Sequence, residues 1–288
     1  YCSGIDDVLS GSSKVAGIQV QMSFWARTFV KQGWKVYTFT DKQKRDIDGI
    51  HFIKTYKSKL LYRLHLQLVQ DLMNCIRCIK LHPDIVICRG ASRSLFLLSK
   101  LCRCNHIQLV MFGASDSDFV PGNEIVGGSP INRRHYQKSL SQIECFVTQN
   151  KEQQAALLKY YGKSSLVLPN IWLQDDVAEQ IPEKLYDAIW ISNLRPLKRA
   201  EWFVTLAKDY PQYKFAIVGG PSRVECYDQI KQLASDVNNL SFLGAKSFME
   251  VNRLLSQSRI LVCTSEFEGF PNTFLQAWAH SVPVISTL

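Results

Sequence analysis

The segment ILVCTSEFEGFPNTFLQAWAHSVPVIS, from Ile260 to Ser286, decides the fold class because it places a strand, a helix and a second strand in direct succession. The apolar run Ile260–Thr264 predicts a buried strand, Pro271–Ala279 a helix, and Val282–Ser286 another strand. Short connections between such elements are typical of a parallel sheet that is covered by helices. We therefore expect an α/β protein.

The same alternation extends over the rest of the chain in two blocks. In the first block the patterns predict strands at Trp34–Thr40, Ile50–Lys54, Asp84–Cys88, Ile107–Gly113 and Cys145–Gln149, and helices at Val20–Gln32, Leu60–Leu81, Ser92–Arg103, Arg133–Leu140 and Glu152–Tyr161. In the second block they predict strands at Tyr186–Ser192, Lys214–Gly219 and Leu240–Leu243, and helices at Arg199–Asp209, Val224–Val237 and Phe248–Ser256.

These blocks predict two doubly wound, Rossmann-like domains, residues 1–170 and 185–288, joined by an aperiodic linker over residues 171–184. Ligands of such sheets bind beyond the carboxyl ends of the strands, so we expect a binding cleft between the domains. No buried strand precedes Val20, and the last predicted strand ends two residues before the end of the chain. An opening strand and one or more closing helices are therefore expected to be missing.

The composition is that of a globular protein, with 46% hydrophobic and 20% charged residues and a net charge of +9. No run of 18 apolar residues occurs. Residues 1–150 hold 20 Lys and Arg against 11 Asp and Glu, and the remaining residues hold 14 of each. The whole excess lies in the first half, which favours an anionic partner there, although a well-solvated surface explains it equally well.

Nine cysteines are present, and their odd number and apolar neighbours favour reduced thiols in a cytoplasm. Cys75 and Cys78, together with Cys102 and Cys104, have a spacing that a four-sulfur metal site could use. Because both pairs fall in predicted helices and no histidine or glycine knuckle accompanies them, packing in the core is the favoured interpretation.

The loop after the strand Ile260–Thr264 carries the residues with the clearest chemistry. Two carboxylates, Glu266 and Glu268, come at the strand end, and Gly269 permits a tight turn before Pro271 begins a helix. Free backbone N–H groups and the helix dipole would form an anion site there that suits a diphosphate. The N–H groups expected to be free are those of Asn272, Thr273 and Phe274.

This segment resembles the signature of family 4 glycosyltransferases of the GT-B fold. That signature is a Glu-x7-Glu pair in a Glu-Gly-Phe block, followed by a small residue and Pro-Val-Ile. The resemblance implies that Glu268 contacts the transferred sugar, and that the residue eight positions later, Gln276, holds the ribose hydroxyls. Gln276 stands where the family has glutamate, and an amide can still form hydrogen bonds with a ribose.

A second segment, Ile191–Ala207 (ISNLRPLKRAEWFVTLA), resembles the family's Gly-Arg-Leu-x-Pro-x-Lys-Gly block. The resemblance implies that Lys198 pairs with the donor diphosphate. Asn193 occupies the family's arginine position, and Arg195 is the candidate for the missing charge. Such cations are needed because negative charge builds on the departing oxygen.

Three glycines extend the resemblance. Gly219 in AIVGGP and Gly244 in FLGAKS match the turns that the family places near the ribose and the base. Gly17 matches a glycine-rich loop near the donor phosphate or the reacting sugar, with Ala16 in place of a second glycine.

The loop Phe112–Gly122 follows another predicted strand and contains two aspartates. By resemblance, Asp116 is a candidate catalytic residue that faces the sugar or the acceptor. The alternative, equally weighted, is that Asp116 and Asp118 only structure the loop. Arg89 and Arg93 follow the end of the predicted strand Asp84–Cys88 and are expected to face an anionic acceptor.

The resemblance implies a retaining, metal-independent glycosyltransferase of surface polysaccharide synthesis, with no cofactor. Its donor would be a UDP- or GDP-sugar and its acceptor a glycan or a lipid-linked glycan. The mixed basic and apolar segment Lys54–Arg63 favours a peripheral position at an anionic membrane. The alternative is a non-catalytic nucleotide-sugar-binding protein, and no nucleic-acid partner is expected because no recognition motif occurs.

Overall fold

The computed structural model describes residues 5–9, 17–63, 66–124, 126, 130–173, 183–222, 224–266 and 270–287. Its helices are α1 (Ile5–Leu9), α2 (Gly17–Lys31), α3 (Lys59–Arg63), α4 (Gln67–Ile79), α5 (Leu95–Cys104), α6 (Pro130–Gln142), α7 (Lys151–Tyr161), α8 (Ala200–Asp209), α9 (Val224–Ser235), α10 (Phe248–Ser256) and α11 (Asn272–Ala279). Its strands are β1 (Val36–Thr40), β2 (Arg45–Ile47), β3 (Ile50–Lys54), β4 (Ile85–Arg89), β5 (Gln108–Phe112), β6 (Cys145–Thr148), β7 (Leu166–Val167), β8 (Tyr186–Ile191), β9 (Phe215–Val218), β10 (Leu240–Gly244), β11 (Ser258–Cys263) and β12 (Val284–Ser286). The predicted α/β class is confirmed.

The described residues divide into two compact units. The first comprises Tyr1–Asp6 and Trp25–Asn170, and the second comprises Asp7–Phe24 and Ile171–Leu288. The predicted domain bounds, residues 1–170 and 185–288, stay a prediction, and most of the predicted linker, residues 174–182, lies outside the described residues.

Specific contacts explain why Asp7–Phe24 groups with the second unit. The carboxamide of Gln21 donates to the carbonyl oxygen of Ile171 at 2.8 Å and accepts from the N–H of Ile171 at 2.9 Å. The ring of Phe24 packs edge-on against Trp172, with centroids 5.5 Å apart, and Trp172 stacks on Phe248. The contacts of Gln21 and Phe24 join positions about 150 residues apart in the chain, and Trp172 and Phe248 are also distant in sequence, so no local pattern in the sequence predicts them.

The second unit contains a parallel five-stranded sheet in the order β10-β9-β8-β11-β12. Successive residues of β8 point to opposite faces. Ala188 and Trp190 enter a core with α8 and α9, whereas Ile189 enters a core with α10 and α11. Helices therefore cover both faces of this sheet, as a doubly wound arrangement requires.

The first unit contains two sheets. One has the order β1-β3-β2, in which β1 and β3 are parallel and β2 is antiparallel to β3. The other is parallel and has the order β4-β5-β6-β7. Side chains of β4 and β5 pack with those of α4, α5 and α6 in one apolar core.

The prediction of one continuous helix over Leu60–Leu81 is wrong. The structure has α3 and α4 in its place, and Leu66 before α4 has non-helical backbone angles of φ −94° and ψ 38°. No proline or glycine occurs at the interruption, and the apolar residues keep their helical spacing across it. The sequence therefore gives no signal of a break between α3 and α4.

No helix within the described residues is long and apolar enough to cross a membrane.

Candidate functional site

The loops that follow β8, β9 and β10 meet at the carboxyl edge of the second unit's sheet. The N–H of Gly219 donates to the carbonyl oxygen of Gly244 at 3.0 Å. A Cβ atom on Gly219 would lie 2.1 Å from the carbonyl oxygen of Ser192, so this close approach is possible only for glycine. Gly244 has a φ of +68°, which also favours glycine. The structure thus brings two of the predicted site residues, Gly219 and Gly244, together.

Lys198 lies at the same edge, at the end of a 3-10 turn over Pro196–Lys198 that precedes α8. Lys198 is buried, with 6% of its surface exposed. The hydroxyl of Thr264, which follows β11, donates to the carbonyl oxygens of Lys198 at 2.7 Å and of Arg199 at 2.9 Å. Thr264, at the end of β11, therefore fixes the loop between β8 and α8 and holds the backbone of Lys198 in place.

The neighbouring cations have different surroundings. Arg195, the predicted substitute for the family's arginine, is exposed, and so is Asn193. Arg199, which is not among the predicted site residues, forms an ion pair with Glu266 at 3.1 Å and lies over the ring of Trp202.

Arg199 has a left-handed backbone with a φ of +49°. It occupies the last glycine position of the Gly-Arg-Leu-x-Pro-x-Lys-Gly block, and a left-handed residue is the physical reason for a glycine there. An arginine in place of the family's glycine is therefore the signal in the sequence that could have identified Arg199.

The start of α11 differs in one respect from the prediction. Pro271 precedes the helix and forms no side-chain cap. The N–H of Phe274 is not free, because it donates to the carbonyl oxygen of Pro271 at 3.1 Å in a tight first turn. The anion site proposed for this helix start therefore cannot use the Phe274 N–H in this geometry.

Asn272, the first residue of α11, joins this helix start to the start of α2. Its side-chain amide donates to the carbonyl oxygen of Gly17 at 2.9 Å, and its side-chain oxygen accepts from Gln21 at 3.0 Å. A Cβ atom on Gly17 would lie 2.7 Å from the Asn272 amide nitrogen. The amino-terminal ends of two helices, of 15 and 8 residues, are thus held side by side. Their dipoles both favour a negative charge at this place.

We predict that Asn272→Ala weakens the binding of a nucleoside diphosphate by about tenfold, because two hydrogen bonds that hold the helix starts together are lost. Isothermal titration with UDP and GDP measures the effect. Asn238→Ala is the matched control, because Asn238 is exposed and precedes β10 at the opposite edge of the sheet. An affinity that is equal in both variants would contradict this role of Asn272.

For three further predicted residues, Gln276, Glu268 and Thr273, the predicted role stays a prediction. Gln276 is buried on α11, and its side-chain amide donates to the side-chain oxygen of Asn252 on α10 at 3.2 Å. Contact with a ribose stays a prediction for Gln276. Glu268, the main catalytic candidate, lies outside the described residues, as do Phe267 and Gly269. Thr273 lies in the first turn of α11 and is half-buried.

In the first unit the structure separates the two aspartates after β5. Asp118 is 3% exposed and accepts from the backbone N–H groups of Ala114 at 2.7 Å and Ser115 at 3.0 Å. Burial raises the pKa of the Asp118 carboxyl, and these N–H groups and the charge of Arg89 partly offset that effect. Asp118 therefore structures the loop.

Asp116 is held differently. One carboxylate oxygen of Asp116 accepts from the side-chain amides of Asn150 and Gln153, each at 3.0 Å. Gln153 is 1% exposed, and its own oxygen accepts from the backbone N–H of Gln149 at 2.9 Å. A buried amide thus fixes the orientation of a half-buried carboxylate. A catalytic role of Asp116 stays a prediction.

The two arginines expected to face an acceptor have intramolecular partners. Arg89 donates to the side-chain oxygen of Asn170, which also accepts from Gln149 at 2.7 Å. Arg93 forms an ion pair with Asp71 on α4 at 2.6 Å. Since the Asp71 carboxylate balances the charge of Arg93, Arg93 is the weaker candidate for an anionic acceptor.

Four cysteines, Cys75, Cys78, Cys88 and Cys102, lie in the apolar core of the first unit, whereas Cys104 is exposed. Burial raises the pKa of the Cys102 thiol to about 12 and also raises that of Cys75. The residues that the structure describes include no group of three or more His, Cys, Asp or Glu side chains arranged to hold a metal ion. Packing in the core, the interpretation favoured from the sequence for the two cysteine pairs, describes Cys75, Cys78 and Cys102 but is wrong for the exposed Cys104.

Comparison with known proteins extends these observations. Residues 186–288 match the family model described as Glycosyl transferases group 1. The Vi polysaccharide biosynthesis protein VipC/TviE of Salmonella typhi is 27% identical over 127 residues, which cover 43% of this chain and 22% of that protein. The chain spans about a fifth of the length of this curated relative.

Solved structures with a similar fold include WaaG, a glycosyltransferase involved in lipopolysaccharide biosynthesis, with a TM-score of 0.66 and 16% identity over 94% of this chain and 77% of WaaG. Anabaena Alr3699/HepE in complex with UDP has a TM-score of 0.66 and 14% identity over 96% of this chain and 78% of that one. S. aureus TarM has a TM-score of 0.58 and 17% identity over 75% of this chain, which spans 44% of TarM. The predicted GT-B fold and the resemblance to GT-B glycosyltransferases are confirmed. Membership of family 4 and a retaining mechanism stay predictions.

Proposed function

We propose that this protein is a retaining glycosyltransferase that transfers a sugar from a UDP- or GDP-sugar to a glycan or lipid-linked acceptor in surface polysaccharide synthesis. The observation that carries the proposal is the meeting of two helix starts at Gly17 and Asn272, at distances of hydrogen-bond length. This place concentrates positive potential for a diphosphate. The family match of residues 186–288 and the similarity to the UDP complex of HepE support the same class of ligand.

In the proposed mechanism the second unit binds the donor. The ammonium group of Lys198 and the two helix starts stabilise the negative charge that develops when the bond from the anomeric carbon to the diphosphate oxygen breaks. Glu268 orients the hydroxyls of the transferred sugar. The acceptor hydroxyl gives its proton to the departing diphosphate oxygen, and its oxygen bonds to the anomeric carbon on the face that the diphosphate leaves, which gives retention.

The first unit is proposed to bind the acceptor, with Asp116 as its polar contact. The buried Gln153 acts as a positioning residue, because its amide holds one oxygen of the Asp116 carboxylate. The direction in which the other carboxylate oxygen points is thereby fixed. Misplacement by about 1 Å of a group that contacts the reacting atoms can cost about a hundredfold in rate.

The test of the proposed function has two steps. A thermal-shift screen with UDP, GDP, ADP and their sugars is expected to raise the unfolding temperature with UDP or GDP compounds. Turnover is then measured as donor hydrolysis and as transfer to glycan acceptors. Stabilisation without turnover would favour the non-catalytic nucleotide-sugar-binding alternative, and the absence of any stabilisation would contradict both interpretations.

For Gln153 we predict that Gln153→Ala lowers kcat by about 10- to 100-fold, with little change in the KM of the donor, because the orientation of Asp116 in the first unit is disturbed while the donor-binding second unit is unchanged. Steady-state kinetics of the purified variant measures both constants. Gln154→Ala is the matched control, because the neighbouring amide of Gln154 donates to the carbonyl oxygen of Ser165 instead. A similar loss in both variants, or a change confined to donor KM, would contradict the positioning role.

A further inference from the structure

Helix α4 exposes an apolar face. Its residues Leu68, Val69, Leu72 and Met73 are 51%, 42%, 37% and 38% exposed. Their spacing places them on one side of the helix. The other side packs into the first unit, where Asn74, Cys75 and Cys78 are buried. The helix is therefore apolar on a side that stays exposed among the residues that the structure describes.

Basic residues continue this exposed side toward the carboxyl end of α4. Residues four apart lie above one another on a helix. At this spacing, Lys80 lies in line with Leu68 and Leu72, and Arg77 lies in line with Val69 and Met73. Both cations are exposed.

The one acidic residue in the sequence of α4, Asp71, forms an ion pair with Arg93 at 2.6 Å. The negative charge of this helix is thus balanced by a cation of the first unit.

The preceding helix extends the surface. In α3, Leu60 is 64% exposed, and the flanking Lys59 and Arg63 are also exposed. Leu66, between the two helices, is 44% exposed. We call these residues the α3–α4 surface, which comprises Lys59, Leu60, Arg63, Leu66, Leu68, Val69, Leu72, Met73, Arg77 and Lys80.

We propose that the α3–α4 surface docks onto an anionic lipid bilayer. Exposed apolar side chains on one side of a helix, with lysine and arginine before and after them in the chain, are the chemistry of an interfacial helix. The leucines enter the boundary between headgroups and acyl chains, while the long basic side chains reach the lipid phosphates.

The charge of the chain supports a lipid partner. The excess of 20 Lys and Arg over 11 Asp and Glu lies in residues 1–150, which include this surface. A layer of anionic headgroups offers negative charge across the whole surface, whereas a protein partner would need acidic groups matched to cations at both ends. The sequence predicts an interfacial patch at Lys54–Arg63, and the structure has most of the exposed apolar residues on α4 instead. This proposal goes beyond the proposed transferase function and does not depend on it.

The test is co-sedimentation of the full chain with phosphatidylserine-containing vesicles and with pure phosphatidylcholine vesicles, in the absence of any sugar nucleotide. We expect binding to the anionic vesicles that weakens with added salt, because the basic side chains contribute. The double variant Leu68→Gln/Leu72→Gln should bind at least about tenfold more weakly. Leu158→Gln/Leu166→Gln is the matched control, because both leucines are exposed elsewhere in the same unit, and it should bind like the parent.

Two results would overturn the proposal. One is the absence of binding of the parent chain to anionic vesicles. The other is equal binding by the Leu68/Leu72 variant and the control. Thermal unfolding of every variant shows whether a loss of binding reflects a loss of fold, and the single variant Lys80→Gln tests the electrostatic part with minimal effect on packing. If light scattering instead shows that the leucine substitutions dissociate a dimer while vesicle binding is absent, the surface is a protein interface and the lipid proposal fails.

Discussion

Replacing Glu268 by glutamine is expected to lower kcat/KM for the sugar nucleotide by about 10²- to 10³-fold, the range found when one group that stabilises a transition state is removed. The affinity for UDP or GDP should change little, because the resemblance places Glu268 on the transferred sugar and not on the diphosphate. Transfer kinetics and isothermal titration with the free nucleotide together distinguish these two effects.

Glu266→Gln is the matched control for Glu268, because it changes the same charge two residues away. Glu266 is partly exposed and pairs with Arg199, and such a surface ion pair contributes little. We expect the activity of this variant to remain within about threefold of the parent. If Glu268→Ala left both transfer and donor hydrolysis intact, the assignment as a glycosyltransferase of this type would fail.

The fold could be predicted from the sequence because each strand and helix carries its own periodic pattern. The predicted bounds Ile50–Lys54 and Phe248–Ser256 are those of β3 and α10 in the structure. Errors arose where the pattern gave no local signal. The short strand β2 has only three residues, and the interruption between α3 and α4 lacks a breaker residue.

The candidate site was less predictable, since its contacts join residues far apart in the chain. The motifs identified Gly17 and Asn272 separately, but the hydrogen bond between them spans 255 positions. Similarly, no pattern in the sequence identifies Gln153 as a candidate, because its role depends on a contact with Asp116 that forms only in the folded unit. Motif spacing thus predicts which residues are candidates, and the tertiary structure determines which residues support them.

Removal of the Lys198 ammonium is expected to have the second large effect. Lys198→Met should lower kcat/KM for the sugar nucleotide by about 10²- to 10³-fold, because a fixed positive charge no longer stabilises the departing diphosphate. The effect should be large because Lys198 is buried, and water screens a charge less at a buried position than at the surface. Methionine retains most of the apolar stem, so packing around the 3-10 turn should be preserved.

The measurement that separates this role from a structural one compares two ligands. Lys198→Met should bind UDP or GDP at least about tenfold more weakly, whereas the affinity for the nucleoside alone should be unchanged, because only the diphosphate carries the charge that Lys198 binds. Lys208→Met is the control, since Lys208 is exposed in the last turn of α8. Equal UDP and GDP affinities in the parent and Lys198→Met, with both proteins folded, would contradict the diphosphate role of Lys198. A parallel loss of nucleoside affinity would instead show that Lys198 acts by supporting the loop that Thr264 holds against the end of β11.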